Sequence, residues 1–319
     1  MKDLPRILII SLVLLIMAGS CNRPAKDKVI IFHAGSLALP FKTIADLYME
    51  QFPDRVIEME AAGSVASARK ITELGKPCDI MASADYQIID RMLIPQYASW
   101  NIIFAANSMV IAYTDRSEMG SEINSENWYD ILVRSDVVYG RADPNSDPCG
   151  YRSILTMQLA EGYYNIPGFT DLLLQKDLNM VRPKEVDLLA LLEARAVDYI
   201  FIYRSVAQQH SLKFIELPAE IDLSDPQLNP HYAGVTVDIT ANAPGEKMTI
   251  QGSSMLYGVT LLDSAPNREG AIHFLEFLLG ETGTRIMNEM GQELGTLPVA
   301  RDSSILPGWL QQLTVKEEF

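Results

Sequence analysis

The feature that most constrains this chain is a threefold repetition near its start: a short apolar run, a turn of small residues, then a helical pattern. Lys28-Val-Ile-Ile-Phe32 ends at His33-Ala-Gly-Ser-Leu37 and is followed by apolar residues at Phe41, Ile44, Leu47 and Tyr48, with Pro40 early in the segment. Arg55-Val-Ile-Glu-Met59 ends at Ala61-Ala-Gly-Ser64 and runs into Ala66, Ala68, Ile71 and Leu74. Asp79-Ile-Met-Ala-Ser83 opens into Ala84-Asp85-Tyr86 and a further helix. Strands that alternate with helices predict an α/β fold with a doubly wound parallel sheet, whose loops at the carboxyl ends of the strands form a crevice.

Asn101 to Ala105 and Met109 to Tyr113 are two extended runs with no helix between them, and the second reads as the crossing into another lobe. Val137-Val-Tyr139 leads into Gly140 to Tyr151, a loop with two Asp-Pro steps, and a helix is expected from about Ser153 to Tyr164. Glu185 to Ala194 has a helical pattern with Val186, Leu189 and Leu192 inward, and Tyr199 to Tyr203 reads as a buried strand. Leu256 to Leu262 returns the chain, followed by an amphipathic helix, Asn267 to Leu279, with Ala271, Phe274, Phe277 and Leu278 on one face. Residues 217 to 250, rich in Pro, Asp and Asn, are the least regular stretch. A length of 319 residues suits two domains. The expected division is 29–108 plus about 262–319 for the first lobe and about 109–261 for the second.

Composition narrows the class. A hydrophobic share of 48% excludes disorder and a collagen-like chain, and the pattern excludes a multipass membrane protein. The net charge of −15 argues against nucleic acid, whose phosphates need clustered Lys and Arg, so the partner is small or a protein. His33, His210, His231 and His273 form no metal-ligand spacing with the cysteines, so neither a zinc site nor a cofactor is expected. Cys78 and Cys149 read as lying in two different loops and make no disulfide framework. The GxSxG, HExxH and phosphate-loop signatures are absent, which argues against an enzyme.

The first twenty residues read as an export signal. Lys2 and Arg6 precede the apolar run Ile7 to Met17, which is shorter than the roughly 20 residues needed to span a bilayer. The run stops at Ala18-Gly19-Ser20-Cys21, which resembles a bacterial lipobox. The resemblance implies a signal peptide over 1–20, a lipidated Cys21, a polar tether over 21–28 and an extracytoplasmic protein held to an envelope membrane only by its lipid. An ordinary signal peptide followed by an incidental cysteine is the alternative.

The chemistry carried by the repeated units is anion capture by backbone. Gly35-Ser36 and Gly63-Ser64 each stand where a strand ends and a helix begins, so unpaired N–H groups and a hydroxyl can face one anion without Lys or Arg. One such turn alone is more often just a helix cap, and it is the pair at the same strand level in consecutive units that brings anion capture level with that reading.

Beyond these turns, His33 to Leu37, Glu60 to Ser64, Met81 to Tyr86, Asp143-Pro-Asn-Ser-Asp-Pro-Cys-Gly-Tyr-Arg152, Arg182-Pro-Lys-Glu185 and Tyr203-Arg-Ser-Val206 occur in an order that resembles the tungstate/molybdate-binding proteins of ABC importers. The similarity is to the subfamily first associated with archaea and runs from about Val29 to Pro298. It implies a type II periplasmic-binding-protein fold: two doubly wound lobes, joined by crossing strands, that close over a ligand. It also implies a monomer that delivers its anion to a membrane permease.

Residue by residue, the resemblance implies Gly35, Ser36 and Ser64 on the oxyanion, with backbone around Asp147, Pro148 and Cys149 and the Tyr203 phenol from the second lobe. It further implies that the Asp147 and Glu185 carboxylates reach the Mo or W atom and complete a six-coordinate shell. Such carboxylates would repel a dianion, by about 4 kcal/mol per charge pair at roughly 4 Å and an effective dielectric near 20. The arrangement becomes favourable only when their lone pairs meet a strongly electrophilic high-valent metal, which sulfur and phosphorus do not offer, so sulfate and phosphate would be rejected.

Plainer readings stand beside these. Asp147 and its rival Asp143 suit Asp-Pro turns, Glu185 suits a helix-start carboxylate, and Tyr203 suits the core. Arg152 and Arg204 suit ordinary ion pairs, Cys149 needs only its backbone, and Cys78 stands where an alanine-like residue is expected. Without the two carboxylates at the ligand the chain reads as a sulfate or phosphate binder. A secreted hydrolase with Asp147 and Glu185 as general acid and base is the reading from another class, and a sensor sharing the fold is a third.

Overall fold

The computed structural model describes residues 27–241, 245–294, 298–300 and 303–316. The expected signal peptide, Cys21 and all but the last two residues of the expected tether lie outside them. Within them the chain forms two β-sheets covered by helices and a separate hairpin.

The first sheet contains β1 (Asp27–Ala34), β2 (Arg55–Ala62), β3 (Ile80–Ser83), β4 (Ile102–Ala106), β12 (Leu256–Leu261), β13 (Val299–Ala300) and β14 (Val315–Lys316), in the order β14-β13-β4-β12-β3-β1-β2. β1 lies parallel to β2 and β3, as the alternating pattern predicts, with Ile31 opposite both Met59 and Ile80. The sheet as a whole is mixed rather than parallel, because β12 runs antiparallel to both β3 and β4. β12 also falls inside the expected second lobe, about 109–261, yet it is a central strand of the first. Its residues are mostly apolar and nearly all buried, and that pattern suits any buried strand without saying which sheet receives it.

The second sheet contains β5 (Met109–Tyr113), β6 (Tyr139–Ala142), β7 (Val181–Arg182), β8 (Tyr199–Tyr203) and β9 (Lys213–Glu216), in the order β7-β6-β8-β5-β9. β5 is antiparallel to β8 and β9, while β6 is parallel to β8. β10 (Thr236–Thr240) and β11 (Lys247–Gln251) form an antiparallel hairpin inside the stretch expected to be least regular. The chain crosses between lobes at Asn107-Ser108 and returns at 252–255, where Asn107 N–H donates to Met255 O at 3.2 Å.

Helical spacing explains how the first sheet is covered. Pro40, Phe41, Ile44, Ala45 and Tyr48 are buried on helix Ala38–Gln51, and Ala271, Phe274, Leu275 and Leu278 on helix Arg268–Leu279. The two faces meet where Tyr48 packs on Phe274, with ring centroids 5.2 Å apart. Leu47 and Phe277 are only half-buried at the edges of these faces. Leu74 lies beyond the end of helix Ser64–Thr72 and is 66% exposed.

Two helix starts differ from expectation. The helix of the second lobe spans Pro148–Tyr163, because Asp147 caps it and Pro148 occupies its first turn. An Asp-Pro step therefore opens a helix here rather than a loop, proline's missing N–H costing nothing at that position. Cys149 consequently lies in the first helical turn. The helix expected from Glu185 spans Asp187–Glu193 and buries Leu188 and Leu192, leaving Val186 and Leu189 half-buried.

Candidate functional site

The first lobe offers two turns at one level. Ala34 and Ala62, the last residues of β1 and β2, are register partners, so Gly35–Leu37 and Gly63-Ser64 start side by side. The first is a tight turn feeding helix Ala38–Gln51, and in the second Ser64 is the first residue of its helix. Ser36 and Ser64 are buried.

The second lobe approaches both glycines closely, and at Gly63 the approach leaves no room for a side chain. A Cβ on Gly63 would lie 2.2 Å from the Ser146 carbonyl oxygen, and one on Gly35 would lie 3.0 Å from Glu185 Oε1. The Ala66 N–H, in the first turn of its helix, donates to that same Ser146 carbonyl at 3.1 Å. The lobes are therefore closed upon each other.

From the second lobe, Asp147 holds two segments together. Its Oδ1 accepts the Cys149 N–H at 2.8 Å and its Oδ2 accepts the Glu185 N–H at 3.1 Å. The latter bond ties the loop before helix Asp187–Glu193 to the start of helix Pro148–Tyr163 and sets Glu185 beside Asp147. The two carboxyls are 2% and 1% exposed, and Glu185 Oε1 has no hydrogen-bond partner among the described residues. Burial, and then the neighbouring Asp147 charge, pushes Glu185 well above the usual carboxylate range. Burial also raises Asp147, opposed by its bonds to Glu185 and to the Cys149 N–H.

Asp143 does something different. Its Oδ1 accepts the Asn145 N–H at 3.0 Å and its Oδ2 the Ser146 hydroxyl at 3.2 Å, so it organises its own loop. Pro148 has no N–H to give, and that of Cys149 is engaged by Asp147. The thiols of Cys78 and Cys149 are free and buried, and burial pushes Cys78 up to about 12.

Three buried hydroxyls each have a polar neighbour, and two of them are shown as acceptors. Ser64 Oγ accepts the Ala84 N–H at 3.0 Å, and Tyr203 OH accepts from Arg152 Nη1 at 3.2 Å. Ser36 Oγ lies 2.9 Å from Tyr257 OH. Burial keeps the phenols of Tyr203 and Tyr257 protonated by raising both above the ordinary tyrosine value. Each hydroxyl thus has a neighbour beside its oxygen.

Arg152 and Tyr151 cross between lobes. Arg152 Nη1 donates to Ala84 O at 2.7 Å, its Nη2 lies 3.7 Å from Asp85 Oδ2, and Tyr151 OH donates to the same Asp85 oxygen at 2.6 Å. Arg152 is 3% exposed. It is an ion pair, as one plain reading has it, but a buried one between lobes, whereas Arg204 pairs with Glu216 at 3.0 Å on the surface. The structure thus gathers Gly35, Ser36, Ser64, Asp147, Glu185 and Tyr203 around one closed interface. Asp85, Asn107 and Tyr257 stand there too, without a role assigned from sequence, as does Arg152, read from sequence only as an ordinary ion pair. An open groove of about 920 Å³ on the hinge side, lined by Leu39, Ser108, Arg204 and Met290 among others, is separate from the carboxyl pair. No cluster of three or more His, Cys, Asp or Glu arranged to hold a metal ion occurs among the described residues.

Comparison with known proteins places this architecture. Residues 29–293 match the family described as bacterial extracellular solute-binding protein. The chain belongs to that family. This solute-binding protein is 47% identical over 266 residues to an uncharacterized solute-binding protein of Petrotoga mobilis, covering 83% of each chain. It is 42% identical over 301 residues to the molybdate/tungstate-binding protein WtpA of Pyrococcus abyssi, covering 86% of each. Among solved structures it resembles the periplasmic molybdate-binding protein of Azotobacter vinelandii, with a TM-score of 0.61 at 13% identity, covering 83% of this chain and 99% of that one. It also resembles the sulfate-binding protein SubI of Mycobacterium tuberculosis, with a TM-score of 0.60 at 12% identity, covering 91% and 92%. At such identities the structural likeness speaks for the two-lobed fold alone.

Proposed function

We propose that this solute-binding protein captures tungstate or molybdate outside the cytoplasmic membrane and delivers it to an ABC transporter permease, without catalysis of its own. The observation that carries the choice of anion is the Asp147–Glu185 pair, with one Glu185 oxygen buried opposite Gly35 and unpartnered among the described residues. Two buried carboxyls are a poor host for sulfate or phosphate, because in the ionised form, the one that can ligate a metal, they repel a dianion and offer it no donor. They are suitable ligands for Mo(VI) or W(VI), and the 42% identity to WtpA supports the same reading.

In this reading the oxyanion first meets the Ser36 and Ser64 turns, and closure brings Asp147, Glu185 and Tyr203 from the other lobe. The ligand favours the closed form through its differential affinity for that state. The protein acts as a monomer, tethered through lipidated Cys21. Titration calorimetry of a soluble form beginning at Asn22 tests this with four anions side by side. Tight one-to-one binding of tungstate and molybdate is expected, with none for sulfate or phosphate. Equal binding of sulfate would overturn the assignment.

A further inference from the structure

The Ser36 hydroxyl has a hydrogen whose direction is set from the hinge. Asn107 occupies the first crossing between the lobes and is buried. Its Oδ1 faces two backbone N–H groups, those of Ser108 at 3.0 Å and Ser205 at 3.2 Å. Because N–H groups only donate, this orientation of the amide is the satisfied one, and Nδ2 is left to donate to Ser205 Oγ at 2.7 Å and Tyr257 OH at 3.0 Å. Tyr257 OH, already accepting from Asn107, has Ser36 Oγ 2.9 Å away; either hydroxyl can donate in that contact, and Ser36 Oγ is the acceptor at hand for the single Tyr257 hydrogen. The Ser36 hydrogen is then free for the anion. Tyr257 and Ser36 are almost wholly buried, so water does not compete for these positions.

We propose that Asn107 and Tyr257 are positioning residues that lock Ser36 as a hydrogen-bond donor to the bound oxyanion. Neither needs to touch the anion. The inference deepens the proposed function and rests on it. Its physical content is a coupling: the value of Tyr257 to binding passes through Ser36. A preset donor also avoids the cost of turning a hydroxyl that would otherwise rest in another orientation.

The test is a double-mutant cycle on tungstate affinity by calorimetry, using the wild type, Tyr257→Phe, Ser36→Ala and the double variant. Tyr257→Phe is expected to weaken tungstate about tenfold in the wild-type background and less than about twofold when Ser36 is already alanine. A role of Tyr257 in supporting the hinge alone would cost the same in both backgrounds, and that result would overturn the proposal, as would no loss in either. Asn107→Asp provides a second arm. It removes both donors and lets the relay reverse, while its added charge acts in both backgrounds and drops out of the difference. A larger loss with Ser36 present than absent supports the proposal, and equal losses contradict it. Absence of tungstate binding by the wild type would overturn the anion assignment itself, and the relay with it, and is distinguishable from failure of the cycle alone.

Discussion

The two lobes contribute opposite kinds of chemistry to one interface. Beside the buried Asp85, which Arg152 and Tyr151 take up, the first presents neutral donors built from local backbone: Gly35-Ser36 and Gly63-Ser64, each at a strand-to-helix turn. The second presents buried ionisable groups, Asp147, Glu185, Arg152 and Tyr203, drawn from segments far apart in the chain. The difference teaches that an anion cradle needs only short-range sequence, whereas a carboxyl pair that can tolerate burial needs a tertiary frame. Asp147 and Glu185 are 38 positions apart and become neighbours only because one accepts the other's backbone N–H.

The sharpest way to break this contrast is to remove the charge by which the second lobe grips the first. Arg152→Met leaves Asp85 buried without its cation, and the loss of folding stability is expected to be about 3–5 kcal/mol, read by denaturant unfolding. A loss below about 1 kcal/mol would mean that the ion pair between lobes is incidental.

Glu185→Gln keeps the shape but replaces the carboxylate proposed as a ligand by an amide. Tungstate affinity is expected to fall at least about a hundredfold, or roughly 2.7 kcal/mol, more than an ordinary hydrogen bond supplies. Near-wild-type affinity in that variant would sink the role assigned to the second lobe. By contrast Ser64→Ala removes one neutral donor of the first lobe and is expected to cost about tenfold in the same titration. If its loss matched that of Glu185→Gln, the two lobes would not differ in the way described.

The smallest effect concerns a carboxyl of the second lobe away from the site. Burial raises Asp222 to about 6. A raised carboxyl holds its proton more tightly when folded, so the folded state is favoured below the ordinary carboxylate range and loses that advantage as pH climbs through about 6. Asp222→Asn, which can still accept the Ser224 N–H, should therefore raise the melting temperature near pH 8 by a few degrees at most and leave it unchanged near pH 3. Equal shifts at both values would show that the side chain acts through packing rather than charge.

Legibility from sequence follows the same division. The three leading α/β units were readable because each strand, turn and helix is contiguous, and the Gly-Ser turns came with them. The mixed first sheet was not readable, since β12 reaches it from the far side of the second lobe and its largely apolar pattern carries no strand direction. Asp147 looked like a turn residue because Asp-Pro serves loops and helix caps alike; only the helix that follows decides. Asn107 and Tyr257 carried weaker signals, an amide between two apolar strands and a phenol inside one. Their roles depend on which hydrogen faces which oxygen, and that is a property of the assembled hinge.

X-ray absorption spectroscopy at the metal edge of the tungstate complex tests the central claim most directly. With both carboxylates bound to the metal, the first shell should hold six oxygens in two groups of distances, four from the oxyanion and two longer ones from Asp147 and Glu185, and Glu185→Gln should disturb the longer group. A four-oxygen shell with a single tetrahedral distance, unchanged in the variant, would contradict the account.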